Sequence, residues 1–290
     1  MNNNKLAIFK NIINNSDLSD ATKLRYNTSL TYLVQNYPNL DIENTTIQEL
    51  HNTFDHLDIL QRKNIINAVN ALYKHSGQPR YEPLQKYYHE IMNNVDQNIN
   101  QPTERQKNNL ITYDEAIRKL NELWLNFDGE EKKLNEYLVL AFYVAIPPVR
   151  ADYGYVRLCK SNFDKDNCET MNLSYIYNNT LYLKNLKVKE IENGTIIETL
   201  PTEITRALEL IPSKQNYLFK DPMTNQKFSF FANNILKKIF KKDVTITIMR
   251  HVYISHLDFN SMNKFEKKII AYLMNHSLPR QDDYRFTTLS

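Results

Sequence analysis

The chain has 290 residues, 42% hydrophobic and 24% charged, enough apolar side chains to bury a core in one large domain or two modest ones. It holds only four glycines, Gly77, Gly129, Gly154 and Gly194, and no two lie close together, so no dinucleotide-binding or phosphate-binding glycine loop can be written. The net charge of +3 names no partner, and the basic excess falls after residue 100.

Cys159 and Cys168 lack metal-site spacing and are too few for a disulfide framework, which points to a reduced intracellular protein. Lys10 breaks the only apolar stretch near the N-terminus, so no signal peptide is read and secretion is not expected. The longest apolar run, residues 137–146, is about half of the ~20 residues a membrane span needs.

Residues 6–95 read as a small helical bundle. Leu6, Phe9, Ile12 and Ile13 have helical spacing. Ser19 or Asp20 can cap a helix that turns Tyr26, Leu30, Leu33 and Val34 to one face. Residues 46–60 and 62–75 predict two more helices, and residues 84–95 a further one. Residues 96–109 are polar, aperiodic and marked by Pro102, and read as a linker.

A second domain is expected over residues 110–290. Thr112 with Glu115 three residues on is a capping-box arrangement. The apolar helix at 134–146 stops at Pro147-Pro148. Alternation at Leu173, Tyr175 and Tyr177, at Leu181 and Leu183, and at Thr195, Ile197 and Thr199 predicts a three-stranded antiparallel sheet. Asn178-Asn179 and Asn193-Gly194 are its turns. Helices return at 202–210, 228–240, 248–257 and 265–275. The fold class is therefore mainly α with a small antiparallel β-sheet.

Five features carry chemistry. Arg150 follows the Pro-Pro stop. Lys184, Lys187 and Lys189 cluster at the end of a strand. Residues 250–256 read Arg-His-Val-Tyr-Ile-Ser-His. His276 stands in Asn-His-Ser, and Tyr284 lies eight residues beyond it. Singly each has an ordinary reading: a helix cap, a solvated strand edge, a core histidine, one tyrosine among 19. Lys237, Lys238, Lys241 and Lys242 could equally be the wet face of a helix.

In order and spacing together these residues resemble the tyrosine recombinase (phage integrase) family. That family has an Arg after an apolar helix, a Lys on a β-hairpin, a His-x-x-Arg-His block, a Leu-Gly-His block, and a nucleophilic Tyr about nine residues on. The block after its second Arg is typically Arg-His-Thr-Phe-Ala-Thr-His. The Pro-Pro-Val-Arg form of the first block, residues 147–150, looks most like integrases of virophages and related mobile DNA viruses. A chain rich in Asn, Ile, Lys and Tyr, whose codons are AT-rich, is compatible with such a source. Thr22 and Tyr26 match a Thr-x-x-x-Tyr of the family's core-binding domain.

The resemblance implies a helical DNA-binding domain at 1–95 and a catalytic domain at 110–290, cutting and rejoining DNA through a 3′-phosphotyrosine. Arg150 and Arg250 would clamp the phosphate, His276 would add a hydrogen bond, and Tyr284 would attack. Lys187, with Lys189 and Lys184 behind it, would protonate the leaving group. Thr247 stands where the family has the first His of its block, Met274-Asn275 replaces Leu-Gly, and Tyr153 stands where an acid is usual, with Asp152 one position early. Lys237, Lys238, Lys241 and Lys242 would meet DNA phosphates, as would Lys86, Tyr87, Tyr88 and Lys184. The partners implied are double-stranded DNA and further copies of the chain, as dimer or tetramer. No cofactor, metal or membrane is implied, and the location is intracellular, host cytoplasm or nucleus if viral.

Two other readings use the same residues: a type IB topoisomerase-like relaxer, and a non-catalytic DNA-binding protein on the same scaffold. Residues 278–290, with Pro279 and few apolar side chains, are expected to be mobile without DNA, leaving Tyr284 free to sit away from the arginines.

Overall fold

In a computed structural model the chain divides into two compact units, residues 1–99 and 100–290. The structure describes all residues except 1, 42–43, 78, 80–81, 99–101, 185–194, 279–280, 282–283 and 286–290, and excepting the side chains of 2–3 and 95–98. Among the described residues no helix is long and apolar enough to cross a membrane.

The first unit holds α1 (Asn2–Asn14), α2 (Asp20–Asn36), α3 (Ile47–Phe54), α4 (Ile59–Ser76) and α5 (Glu82–Asn98). Ile13, Leu30, Leu33, Phe54, Ile65, Val69 and Tyr87 form its core. Ser19 caps α2 through the Thr22 N–H. The helix expected over 46–60 is two helices, because the Asp58 side chain accepts from the N–H groups of Leu60 and Gln61 and starts α4 afresh. Gly77, at φ 73°, ends α4 in the left-handed conformation that glycine adopts without strain.

The stretch read as a linker is largely helical. α5 runs through Asn98, and α6 (Glu104–Asn109) follows. Thr103 and Gln106 close a capping box, and the Asn109 side chain accepts from the Asp243 N–H at 2.7 Å. Caps and a distant partner hold this short helix, so no apolar periodicity announces it.

After α6 the second unit continues with α7 (Tyr113–Leu125), capped by Thr112, and α8 (Glu131–Val144), buried along most of its length. Then come a 3-10 turn (Asp152–Tyr155), β1 (Arg157–Leu158), α9 (Asn162–Thr170), β2 (Tyr175–Tyr177), β3 (Thr180–Leu183), β4 (Ile196–Thr199), α10 (Thr202–Leu208), α11 (Asn225–Phe240), α12 (Ile246–His256) and α13 (Lys264–Leu273). One core links α8, the inner face of the sheet and the apolar stripes of α11 and α12.

The sheet corrects the sequence expectation. Among the described residues it has four strands in the order β1-β2-β3-β4, and β1 pairs parallel with β2, so it is mixed rather than purely antiparallel. A two-residue strand carries no alternation to read. Asn178 and Asn179, at φ 47° and 59°, form the β2–β3 turn, the two positive angles a two-residue hairpin favours. The second turn expected, Asn193-Gly194, lies outside the described residues. Cys159 and Cys168 are free thiols with sulfurs 3.4 Å apart.

Candidate active site

The loop after α8 is built to hold Arg150. The Tyr143 hydroxyl donates to the Arg150 carbonyl. The Tyr153 hydroxyl accepts from the Val149 N–H at 3.3 Å and donates to the Phe142 carbonyl at 3.4 Å. Tyr153 therefore fixes the loop backbone with a buried phenol where the family places an acid. Gly154 lets the loop lie against α11: a Cβ there would come within 2.5 Å of the Met223 carbonyl oxygen and 2.8 Å of the Phe228 Cβ. With the backbone pinned, the Arg150 side chain is left exposed.

The opposite wall is the N-terminal end of α12. The Thr245 side chain caps it through the Ile248 N–H, and the Asn233 Oδ1 accepts from the Ile246 N–H at 2.8 Å. Thr247 is exposed at this end, where the helix dipole favours an anion. Arg250 follows nearly one turn later, with only 1% of its surface exposed.

A cavity of about 450 Å³ opens between these walls, lined by Arg150, Thr247, Arg250, Asn275 and Tyr284 among others. The two arginines, 100 positions apart, thus share one pocket. Burial lowers the Arg250 pKa from its ordinary value, and the positive charge of Arg150 lowers it further.

Behind the cavity, Arg250 Nη2 donates to the Met274 carbonyl at 3.2 Å and to His276 Nδ1 at 3.0 Å. A guanidinium only donates, so Nδ1 is the acceptor and the neutral ring carries its proton on Nε2. Burial first, then the charges of Arg250 and Arg150, bring the His276 pKa down to about 3, so the ring is neutral near pH 7. His276 Nε2 and Arg250 Nε and Nη1 are buried with no hydrogen-bond partner among the described residues. Three such unpaired donors on two adjoining side chains are costly without a ligand and suit a phosphate.

Tyr284 does not sit away from the arginines. The Arg250 guanidinium lies 4.6 Å from its ring centroid. His251 Nδ1 donates to the Tyr284 carbonyl at 2.9 Å and so ties its backbone to α12. Sequence reading assigns His251 no role, and its only signal is its place beside Arg250. Tyr272, four residues before His276, is half-buried beneath the sheet and donates to the Thr195 carbonyl at 2.5 Å.

The lysines behave differently. Lys187 and Lys189 lie outside the described residues. Lys184 is 9% exposed, ion-paired with Glu169 and 5.7 Å above the Tyr175 ring. Of the four lysines at the C-terminal end of α11, Lys238 reaches the buried Glu136, Lys242 donates to the Leu110 carbonyl at 3.2 Å, and Lys237 is 3.8 Å from Asp243. Lys241 stands just past the helix end at φ 54°. The part of α11 that lines the cavity is instead Asn225, Gln226, Ser229 and Asn233. Sequence reading missed these side chains, although polar residues at 225, 229 and 233 recur every turn along the edge of an apolar stripe. Asp152 also lines the cavity, accepting from Asn225 Nδ2 at 3.2 Å.

No protein-family model matches the chain, and no curated protein matches it in sequence. Solved structures match it in fold. The Tn1549 transposon integrase in complex with a circular intermediate DNA aligns with a TM-score of 0.60 at 13% identity, over 97% of this chain and 94% of that one. A lambda integrase dimer bound to a COC' core site aligns at 0.57 and 12% identity, over 97% and 93%. The XerH site-specific recombinase bound to a palindromic difH substrate aligns at 0.51 and 14% identity, over 90% and 75%. The chain therefore has the fold of the tyrosine recombinases.

Proposed function

We propose that this chain is a site-specific DNA recombinase that cuts and rejoins duplex DNA through a 3′-phosphotyrosine. The observation that carries this reading is the packing of Arg250, His276 and Tyr284 against one another at a pocket that also takes Arg150 and Thr247. DNA as substrate is supported by the DNA-bound integrases that share the fold.

In the proposed reaction a phosphodiester enters the pocket. Its non-bridging oxygens meet the Arg150 and Arg250 guanidiniums and the His276 Nε2–H, donors aimed where negative charge grows. The Thr247 hydroxyl offers a further donor. The Tyr284 hydroxyl passes its proton to solvent water as its oxygen bonds to phosphorus, and the bond from phosphorus to the 5′ oxygen breaks. Lys187 supplies the proton that the departing 5′ oxygen takes. One phosphate ester replaces another, so rejoining needs no nucleotide hydrolysis, and guanidiniums take the charge-neutralising part a metal plays elsewhere. Residues 1–95 act as the DNA-binding domain and the chain assembles as dimer or tetramer on DNA. Kinship with virophage integrases rests on residues 147–150.

The test uses a pool of nicked duplexes with randomised cores, incubated with protein and resolved on a denaturing gel. The expected result is a protein–DNA band joined at the 3′ end, lost in Tyr284→Phe and kept in Tyr272→Phe. Relaxation of supercoiled plasmid without site preference would turn the reading toward a topoisomerase. DNA binding with no covalent band on any substrate would leave a binding protein on this scaffold.

A further inference from the structure

A second cleft, of about 350 Å³, adjoins the active-site cavity, and its wall includes Tyr155, Arg157, Ser174, Lys184 and Tyr217. The two cavities share Asp152 and Asn225, the pair joined by the 3.2 Å hydrogen bond, so this pair stands between them.

The cations of the cleft are not equivalent. Lys184 is neutralised by Glu169, and its own backbone N–H is held by Ser174 Oγ at 2.9 Å. Arg157 is half-buried on β1, and its guanidinium makes no hydrogen bond or close ion pair among the described residues. Its charge reaches Asp164 only through space, as a minor contribution to the lowered pKa of that carboxyl. The guanidinium lies 5.4 Å from the Tyr217 ring centroid, and the two backbones form a β-bridge that fixes this placement. A planar cation laid on an aromatic ring is preorganised and keeps its in-plane donors open, a good arrangement for a phosphate. Tyr155, 48% exposed, adds an aromatic face beside it.

Asp152 decides what kind of anion fits. Asp152 lines both cavities, so a single small anion spanning the two meets its negative charge. Two phosphates linked by a sugar avoid it, because neutral atoms cross the carboxylate. We infer that the Arg157 cleft binds a DNA phosphate flanking the one at Arg250, with Tyr217 holding the guanidinium in place. This inference rests on the proposed reading of the neighbouring cavity as the site of DNA cleavage.

The experiment titrates a random-sequence duplex by fluorescence anisotropy at salt concentrations between about 50 and 200 mM. Arg157→Gln is expected to weaken binding roughly tenfold or more at low salt and to reduce the slope of log affinity against log salt by about 1. Arg157→Lys keeps the slope but binds more weakly than wild type, because ammonium lacks the planar stack. An unchanged slope in Arg157→Gln with an intact circular dichroism spectrum overturns the inference. Should that variant fail to fold, wild-type affinity in Arg157→Lys overturns it instead. The Tyr284 covalent band is read separately, in the wild-type protein on the nicked duplexes. Absence of that band in wild type sinks the functional reading, while a lower slope still upholds a phosphate contact at Arg157.

Discussion

The Tyr284 ring lies nearly parallel to the His276 ring, 16° apart in plane with centroids 5.3 Å apart, although eight positions separate them in the chain. His276 is in turn locked to Arg250, so the tyrosine, the neutral imidazole and the buried cation form one cluster. Moving any one of the three disturbs the others.

This cluster makes stability depend on pH. Burial lowers the His251 pKa to about 4 and the His276 pKa to about 3, from 6.5. As pH falls below about 6.5 the unfolded chain takes up these protons first. The stabilisation is therefore complete above pH 6.5 and is lost as pH drops toward 4 and 3. Thermal melts between pH 7.5 and 4 should show a falling Tm, with a shallower fall in His276→Gln. Parallel curves for the two proteins would show that His276 is not held neutral.

Thr247 is exposed and lines the cavity, so an imidazole at that position meets no packed core. Thr247→His should cleave as fast as wild type or faster, with Tm within a degree or two. A severe loss of cleavage with normal DNA binding would mean that the pocket does not take the family's arrangement.

His251 acts on Tyr284 through the backbone. His251→Phe keeps the volume but removes the 2.9 Å bond to the Tyr284 carbonyl. Cleavage should fall about fivefold, the equivalent of one net hydrogen bond of about 1 kcal/mol, while duplex affinity changes less than twofold. Single-turnover cleavage and anisotropy on the same samples separate the two effects. Unchanged cleavage would show that Tyr284 needs no such tether.

The two units have separate cores, one built on Ile13, Leu30 and Ile65, the other on Leu138, Phe142 and Leu236. Deleting residues 1–99 should leave a cooperative thermal transition in the remainder and weaken affinity for duplex DNA at least tenfold. Equal affinity in the truncated and full chains would remove the first unit from DNA binding.

The sequence by itself determined whatever depends on neighbours in the chain. Ser19 and Thr112 announced their helices because a cap acts within three residues. The Asn178-Asn179 hairpin was legible for the same reason. The residues of the candidate site could be marked in order, since their order and spacing resemble those of the tyrosine recombinases. Contacts between distant positions were decided only by the tertiary structure. Two residues of β1 have no period, and they become a strand because β2 offers a parallel edge. The helix over Glu104–Asn109 depends on contact with Asp243. Lys238 looked solvated, yet Glu136, 102 positions away, needs its charge because an unpaired buried carboxylate is costly. Tyr284 looked untethered, since nothing local holds it; its seat is made by His251, His276 and Arg250, and only folding places them around it.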